Sequence, residues 1–315
     1  MDLMILAVFG ILSGMMVLVQ SPVNTALGRN VGSPVLASFI SFLTGMVFLL
    51  ALCIFTGTDM SISSDGIGST PWWSYTGGIC GAAIVLSFII LFSRVGAVNT
   101  VVLPLTGMLA MGAAIDQFGL FGSETYSVSA LGALGFILLA AGMVTVVTVP
   151  RHEKDGGKEK IPNEDDGNSL IWYLFGIGVG ALMASQAAIN GNLGIHLDSA
   201  LHSALVSFVV GTAILFAACL WKRNLHDVVL VRENRVPWWM LTGGILGAAY
   251  IFLNAYLVPE IGTGTTVVLT ITGQMIGSVI IDNFGLLGTG KKKTGALQII
   301  GLALMFAGVV MVKMS

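Results

Sequence analysis

The chain has 315 residues, 55% of them hydrophobic and 10% charged, with a formal charge of −2 and a mean hydropathy of +0.92. A water-soluble domain carries about 25% charged residues, so this composition cannot clothe a soluble surface. It also holds no basic stripe with interleaved aromatics, which leaves nucleic-acid binding without support. The solvent that suits most of it is a lipid bilayer.

A spanning helix needs roughly 20 largely apolar residues. Ten segments meet that need: near 3–27, 33–56, 72–92, 97–115 and 127–149, then 170–193, 199–221, 237–257, 263–281 and 296–313. Glycine inside them is normal for membrane helices. The strict alternation of a barrel strand over about ten residues is missing. The expected fold is therefore all-α and polytopic, with ten transmembrane helices.

The opening "MDLMILAVFG" places an acidic residue where a secretory leader wants a basic one and lacks a small-residue cleavage site, so it reads as the first span. Cys53, Cys80 and Cys219 fall inside apolar spans without metal-ligand spacing, and read as small hydrophobes. No cofactor or metal is expected. Pro71 and Pro237 each precede a Trp pair, Trp72-Trp73 and Trp238-Trp239, at the start of a span. Proline at a first helical turn and tryptophan at the interface suffice to make these anchors.

One stretch breaks the pattern: "RHEKDGGKEKIPNEDDGNS", 151–169, is charged, Gly-rich and without apolar period. It reads as a solvated linker between a first unit, 1–150, and a second, 170–315. The units match at a constant offset of 166. Gln20 pairs with Gln186 (186 − 20 = 166) and Asn24 with Asn190. Thr76-Gly77-Gly78-Ile79 pair with Thr242-Gly243-Gly244-Ile245, and Asp116 pairs with Asp282.

Five spans is an odd number, so the second unit enters the membrane from the side opposite the first. Of the 14 Lys and Arg, 13 then fall on the linker side and only Lys313 on the other. By the positive-inside bias the linker is cytoplasmic and both termini lie outside. Two inverted repeats are the architecture of secondary transporters, in which the halves exchange conformations around a central site.

The paired Gln-x-x-x-Asn-x-x-x-Gly pattern, the Pro-Trp-Trp start of the third span and Asp-x-Phe-Gly-Leu-x-Gly after the fourth together resemble the YdcZ-type family of the drug/metabolite transporter superfamily. The likeness covers nearly the whole chain and is to the fused two-unit form. It implies a ten-helix inner-membrane protein that transports a small molecule, and it supplies no substrate. The related small multidrug resistance proteins keep a glutamate in the first helix. Neither first helix here has a carboxylate beyond its opening residues, which argues against cation/proton antiport by that group.

On a helical wheel Gly10, Gly14, Val17, Gln20, Asn24 and Gly28 share one face, as do Gly176, Gly180, Met183, Gln186, Asn190 and Gly194. An unpaired amide costs several kcal/mol in hydrocarbon, so this face points into protein or a wet cavity. It reads either as a substrate pocket or as interhelical glue. Pro22 is expected to kink the first span; its equivalent, Ala188, is not.

In the second unit Tyr250, Asn254 and Gln274 replace Ile84, Phe88 and Met108, which adds hydrogen-bonding groups to one wall. Asp116 and Asp282 close the fourth helix of each unit, as interfacial caps or as ion-coupling groups. A carboxylate at a helix C-terminus opposes the dipole, so each is expected to have a partner. His196 and His202 have no third metal ligand in view, and no nucleophile–base constellation exists in the sequence.

The expectation is a non-enzymatic transporter, an exporter of a small neutral or zwitterionic organic molecule. Its substrate-binding residues would be Gln20, Asn24, Gln186, Asn190, Tyr250, Asn254 and Gln274, with Asp116 and Asp282 as possible coupling groups. Its partners would be that small molecule and the lipid bilayer, and fusion of both repeats suits a monomer. The alternative is a non-transporting membrane protein whose amide–glycine stripes are packing seams.

Overall fold

A computed structural model describes residues 3–58, 68, 70–125, 129–148, 169–233, 235–284 and 296–313. All of the predicted linker except Ser169 lies outside the described residues, as do Lys291, Lys292 and Lys293. Among the described residues all regular structure is helical. The long helices are α1 (Leu3–Asn30), α2 (Pro34–Thr56), α3 (Gly77–Phe118), α4 (Ala130–Thr148), α5 (Ser169–His196), α6 (Ala200–Trp221), α7 (Thr242–Ile261), α8 (Thr263–Phe284) and α9 (Ala296–Lys313).

Helix ends follow from local chemistry. Ser33 caps α2, its hydroxyl accepting from Leu36 N, with Pro34 at the first helical position. Ser199 caps α6 in the same way through His202 N. Gly57 and Gly119 end α2 and α3 in the left-handed conformation, where only glycine escapes a Cβ penalty. Pro22 lies inside α1, which continues as helix on both sides of it. Membrane helices accommodate proline when neighbouring helices re-satisfy the freed backbone.

Among the described residues seven segments are long and apolar enough to cross a membrane: Met4–Asn30, Pro34–Thr56, Trp72–Leu91, Leu170–His196, Ala200–Trp221, Trp238–Ile261 and Thr263–Ile280. Shorter apolar helices occupy Ala130–Gly142 and Ile299–Gly308. Their outward faces suit lipid: Ile54, Phe55 and Trp221 are exposed, as are the equivalent Trp72 and Trp238.

The predicted spans at 72–92 and 97–115 form one continuous helical run, α3, of 42 residues. At about 1.5 Å per residue a straight rod of that length would be twice the bilayer core. It is not straight. The ring of Trp73, just before the run, sits 6.1 Å from that of Phe121, just after it. Leu91 and Leu103 meet at one place, beside Gly176 of α5. The run therefore doubles back between Leu91 and Leu103. The second unit makes the same reversal with an explicit break, Gly262 at φ 83°, between α7 and α8.

Contacts between the units are reciprocal. Gly14 of α1 lies against the Thr270 carbonyl of α8, and Gly180 of α5 against the Pro104 carbonyl of α3; both partners obey the same offset (270 − 104 = 166). Gly273 lies against Ile11, and Gly107 against Ile177. Helix α2 packs antiparallel on α6, Phe39 near Phe216 and Phe42 near Phe208. Helix α4 packs antiparallel on α9, Gly142 against Gly301 and Gly308 against Gly135. These mutual placements position the core at the seam of the two units.

Candidate functional site

At that seam lies a cavity with about 40 Å³ of room for the centres of water molecules, enough for about three waters at 10–15 Å³ each. Its lining includes six pairs at the repeat offset: Val17 and Met183, Gln20 and Gln186, Phe42 and Phe208, Gly81 and Gly247, Ile84 and Tyr250, Val85 and Ile251. Ser21, Asn24, Ser41, Phe88 and Ile89 complete it, all from the first unit. None of these residues is Asp, Glu, Lys, Arg or His.

Glycines bring the amides in. A Cβ at Gly81 would stand 2.6 Å from Gln186 Nε2, and one at Gly247 would collide with Gln20 Nε2. The next turn repeats this, with Asn190 Oδ1 resting on Gly77 and Asn24 Oδ1 on Gly243. Both of those oxygens are buried without a partner among the described residues. The two glutamines differ. Gln186 Nε2 donates to the Gly77 carbonyl at 3.0 Å, whereas no hydrogen bond holds Gln20 among the described residues.

Of the predicted substrate-binding residues, Gln20, Asn24, Gln186 and Tyr250 line the cavity, and Asn190 sits one turn beyond Gln186 against Gly77. Asn254 and Gln274 do not line it. Asn254 is buried with its Nδ2 donating to Tyr250 O at 2.8 Å. Gln274 is buried, its backbone N beside Gly14 of α1 and its Nε2 without a partner among the described residues.

Asp116 lies elsewhere, at the far end of α3. Its Oδ1 accepts from Thr263 N at 3.0 Å and its Oδ2 from Gly264 N at 2.7 Å. It thus caps the N-terminus of α8, across the unit boundary. The α8 dipole favours the charge that the end of α3 opposes. The side chain of Asp282 lies outside the described residues. His196 Nδ1 is bonded to Asn192 O, and the described residues contain no group of three His, Cys, Asp or Glu placed to hold a metal.

Sequence reasoning missed the aromatic walls. Phe42 and Phe208 stack at the seam with ring centroids 4.8 Å apart. The one available signal was their 166-residue spacing, which many apolar pairs share.

One family model, described as "Putative inner membrane exporter, YdcZ", matches residues 5–145 and again residues 171–311, copies set 166 apart (171 − 5 = 166). The chain belongs to the YdcZ family. Inner membrane protein YdcZ of Escherichia coli (strain K12) is 25% identical over 117 residues, which are 37% of this chain and 78% of that protein. A solved crystal structure superposes over 97% of this chain and 96% of its own with a TM-score of 0.60 and 14% identity, a likeness of fold. The chain is thus a multi-pass inner-membrane protein of a transporter family, carrying two copies of the YdcZ unit.

Proposed function

We propose that this YdcZ-family protein exports a small neutral or zwitterionic organic molecule by alternating access. The central cavity is the binding site, and the two five-span units are inverted repeats. The observation that carries the reading is the cavity itself. It lies at the seam, twelve of its lining residues come as repeat-related pairs, and no ionised side chain faces it. A substrate with a net charge would meet no counter-charge there, at a cost of several kcal/mol.

Antiparallel packing of α2 on α6 and of α4 on α9 supports the inverted relation, since equivalent helices then run in opposite directions. Arg94 stacks over Trp172 at 5.0 Å, next to the linker, which supports a common cytoplasmic side for both. Both termini then lie outside. The Asp116 cap joins α3 to α8 near the outer surface, where release of substrate requires the units to part. Coupling of an ion through Asp116 would act by loosening that contact. With both units in one chain, the protein works as a monomer.

The test is chemical. A single cysteine replacing Ser21, with Cys53, Cys80 and Cys219 changed to alanine, is exposed to a charged, membrane-impermeant thiol reagent in vesicles. A transport pathway predicts modification. A sealed packing seam predicts none while the protein stays folded.

A further inference from the structure

The two walls of the cavity are chemically unequal, and the inequality describes a ligand. Gln186 commits one of its two amide N–H donors to the Gly77 carbonyl. Gln20 is half-buried, lines the same cavity and makes no hydrogen bond among the described residues. Tyr250, standing where the first unit has Ile84, is 6% exposed and faces the cavity; the Asn254 bond takes its backbone carbonyl and leaves the hydroxyl without a protein partner among those residues. Polar groups in such a place are normally satisfied. The remaining surface is aromatic and aliphatic, with Phe42, Phe208 and Phe88 foremost.

We propose that the cavity takes an uncharged, flat molecule with an adjacent hydrogen-bond donor and acceptor on one edge, of the amide, lactam or urea class. Its ring lies against Phe42 and Phe208, and its polar edge meets Gln20 and the Tyr250 hydroxyl. A primary carboxamide both donates and accepts, so its best complement is another amide. A phenol adapts to either role. Aromatic faces favour a planar body over a branched one. A cation or anion of the same shape would leave water without gaining a partner charge. Room for about three waters means that the phenylalanines separate to admit a ring.

This inference rests on the transport reading, and the experiment separates the two. The full-length Ser21→Cys protein in vesicles is labelled with the charged thiol reagent alone, then with benzamide, benzamidine or benzoate. These three probes share one shape and differ in charge. Benzamide slows labelling at least threefold, and the other two leave its rate unchanged. Gln20→Leu and, separately, Tyr250→Phe weaken benzamide protection about threefold to tenfold, the worth of one hydrogen bond. Tyr250→Phe keeps the ring, so it reports the hydroxyl even if the Gln20 variant folds poorly. Equal or better protection by benzamidine or benzoate overturns the ligand class. Labelling that benzamide does not slow overturns it too, while the pathway stands. No labelling of the folded protein overturns both.

Discussion

Gln20 and Gln186 are the same residue on equivalent helices, yet among the described residues one makes no hydrogen bond and the other is tied. Gln186 reaches the Gly77 carbonyl across the seam, while the amide of Gln20 packs on Gly247 in the lining of the cavity. A duplicated sequence thus fixes what each wall is made of and not which hydrogen bonds it makes. Those depend on neighbours that differ, such as Tyr250 for Ile84 and Ala188 for Pro22. Two unequal arrangements of equal parts are what a transporter with exchanging halves requires in any single state.

The backbone contacts that bring the walls together give the largest expected effect. Gly180→Val drives a side chain into the Pro104 carbonyl, and overpacking of this kind costs about 3 kcal/mol or more where backbone must shift. Thermal unfolding in detergent checks it, with a Tm loss expected to equal that of Gly14→Val at the equivalent site. A large disparity between the two would break the reciprocity of the seam.

Asp116→Asn comes next. The amide keeps one acceptor for Thr263 N or Gly264 N and loses the charge, for a cost of about 1–2 kcal/mol. Faster amide hydrogen exchange confined to the first turn of α8 checks this. Asp116→Glu is expected to restore only part of the protection, because the longer side chain misplaces the carboxylate.

Smaller effects sharpen the comparison of the glutamines. Gln186→Leu loses its bond to Gly77 and costs about 1 kcal/mol, whereas Gln20→Leu has no bond to lose and is close to neutral for stability. Alanine at Gly81 meets a tethered Gln186, and alanine at Gly247 meets a Gln20 free to swing aside. Gly81→Ala is thus the more damaging of that pair, by a few degrees in Tm. Equal losses in both pairs would mean that the glutamines are bound alike.

Most of the fold was legible because hydropathy, glycine content and an ungapped repeat all depend on residue type alone. The starts of α2 and α6 at Ser33 and Ser199 could be read directly. The joining of two predicted spans into α3 could not, because the first unit turns without a residue in the conformation of Gly262. The lining of the cavity was partly legible. A polar residue in an apolar helix points inward for energetic reasons, which singled out Gln20, Asn24, Gln186 and Tyr250. Which inward direction it takes depends on helix rotation, so Asn254 and Gln274 were grouped with them although they do not line the cavity. Phe42 and Phe208 carry no such mark, since phenylalanine suits lipid and core equally. Asp116 announced a need for a partner, but Thr263 is 147 residues away.

The most direct test of alternating access through this cavity is side-specific labelling of Ser21→Cys in right-side-out and inside-out vesicles. The account predicts that an impermeant charged reagent reaches position 21 from both faces, in separate populations of the same protein. Benzamide is expected to slow both reactions. Modification from one face only, unchanged by any probe, would contradict exchange of the two halves around a common site.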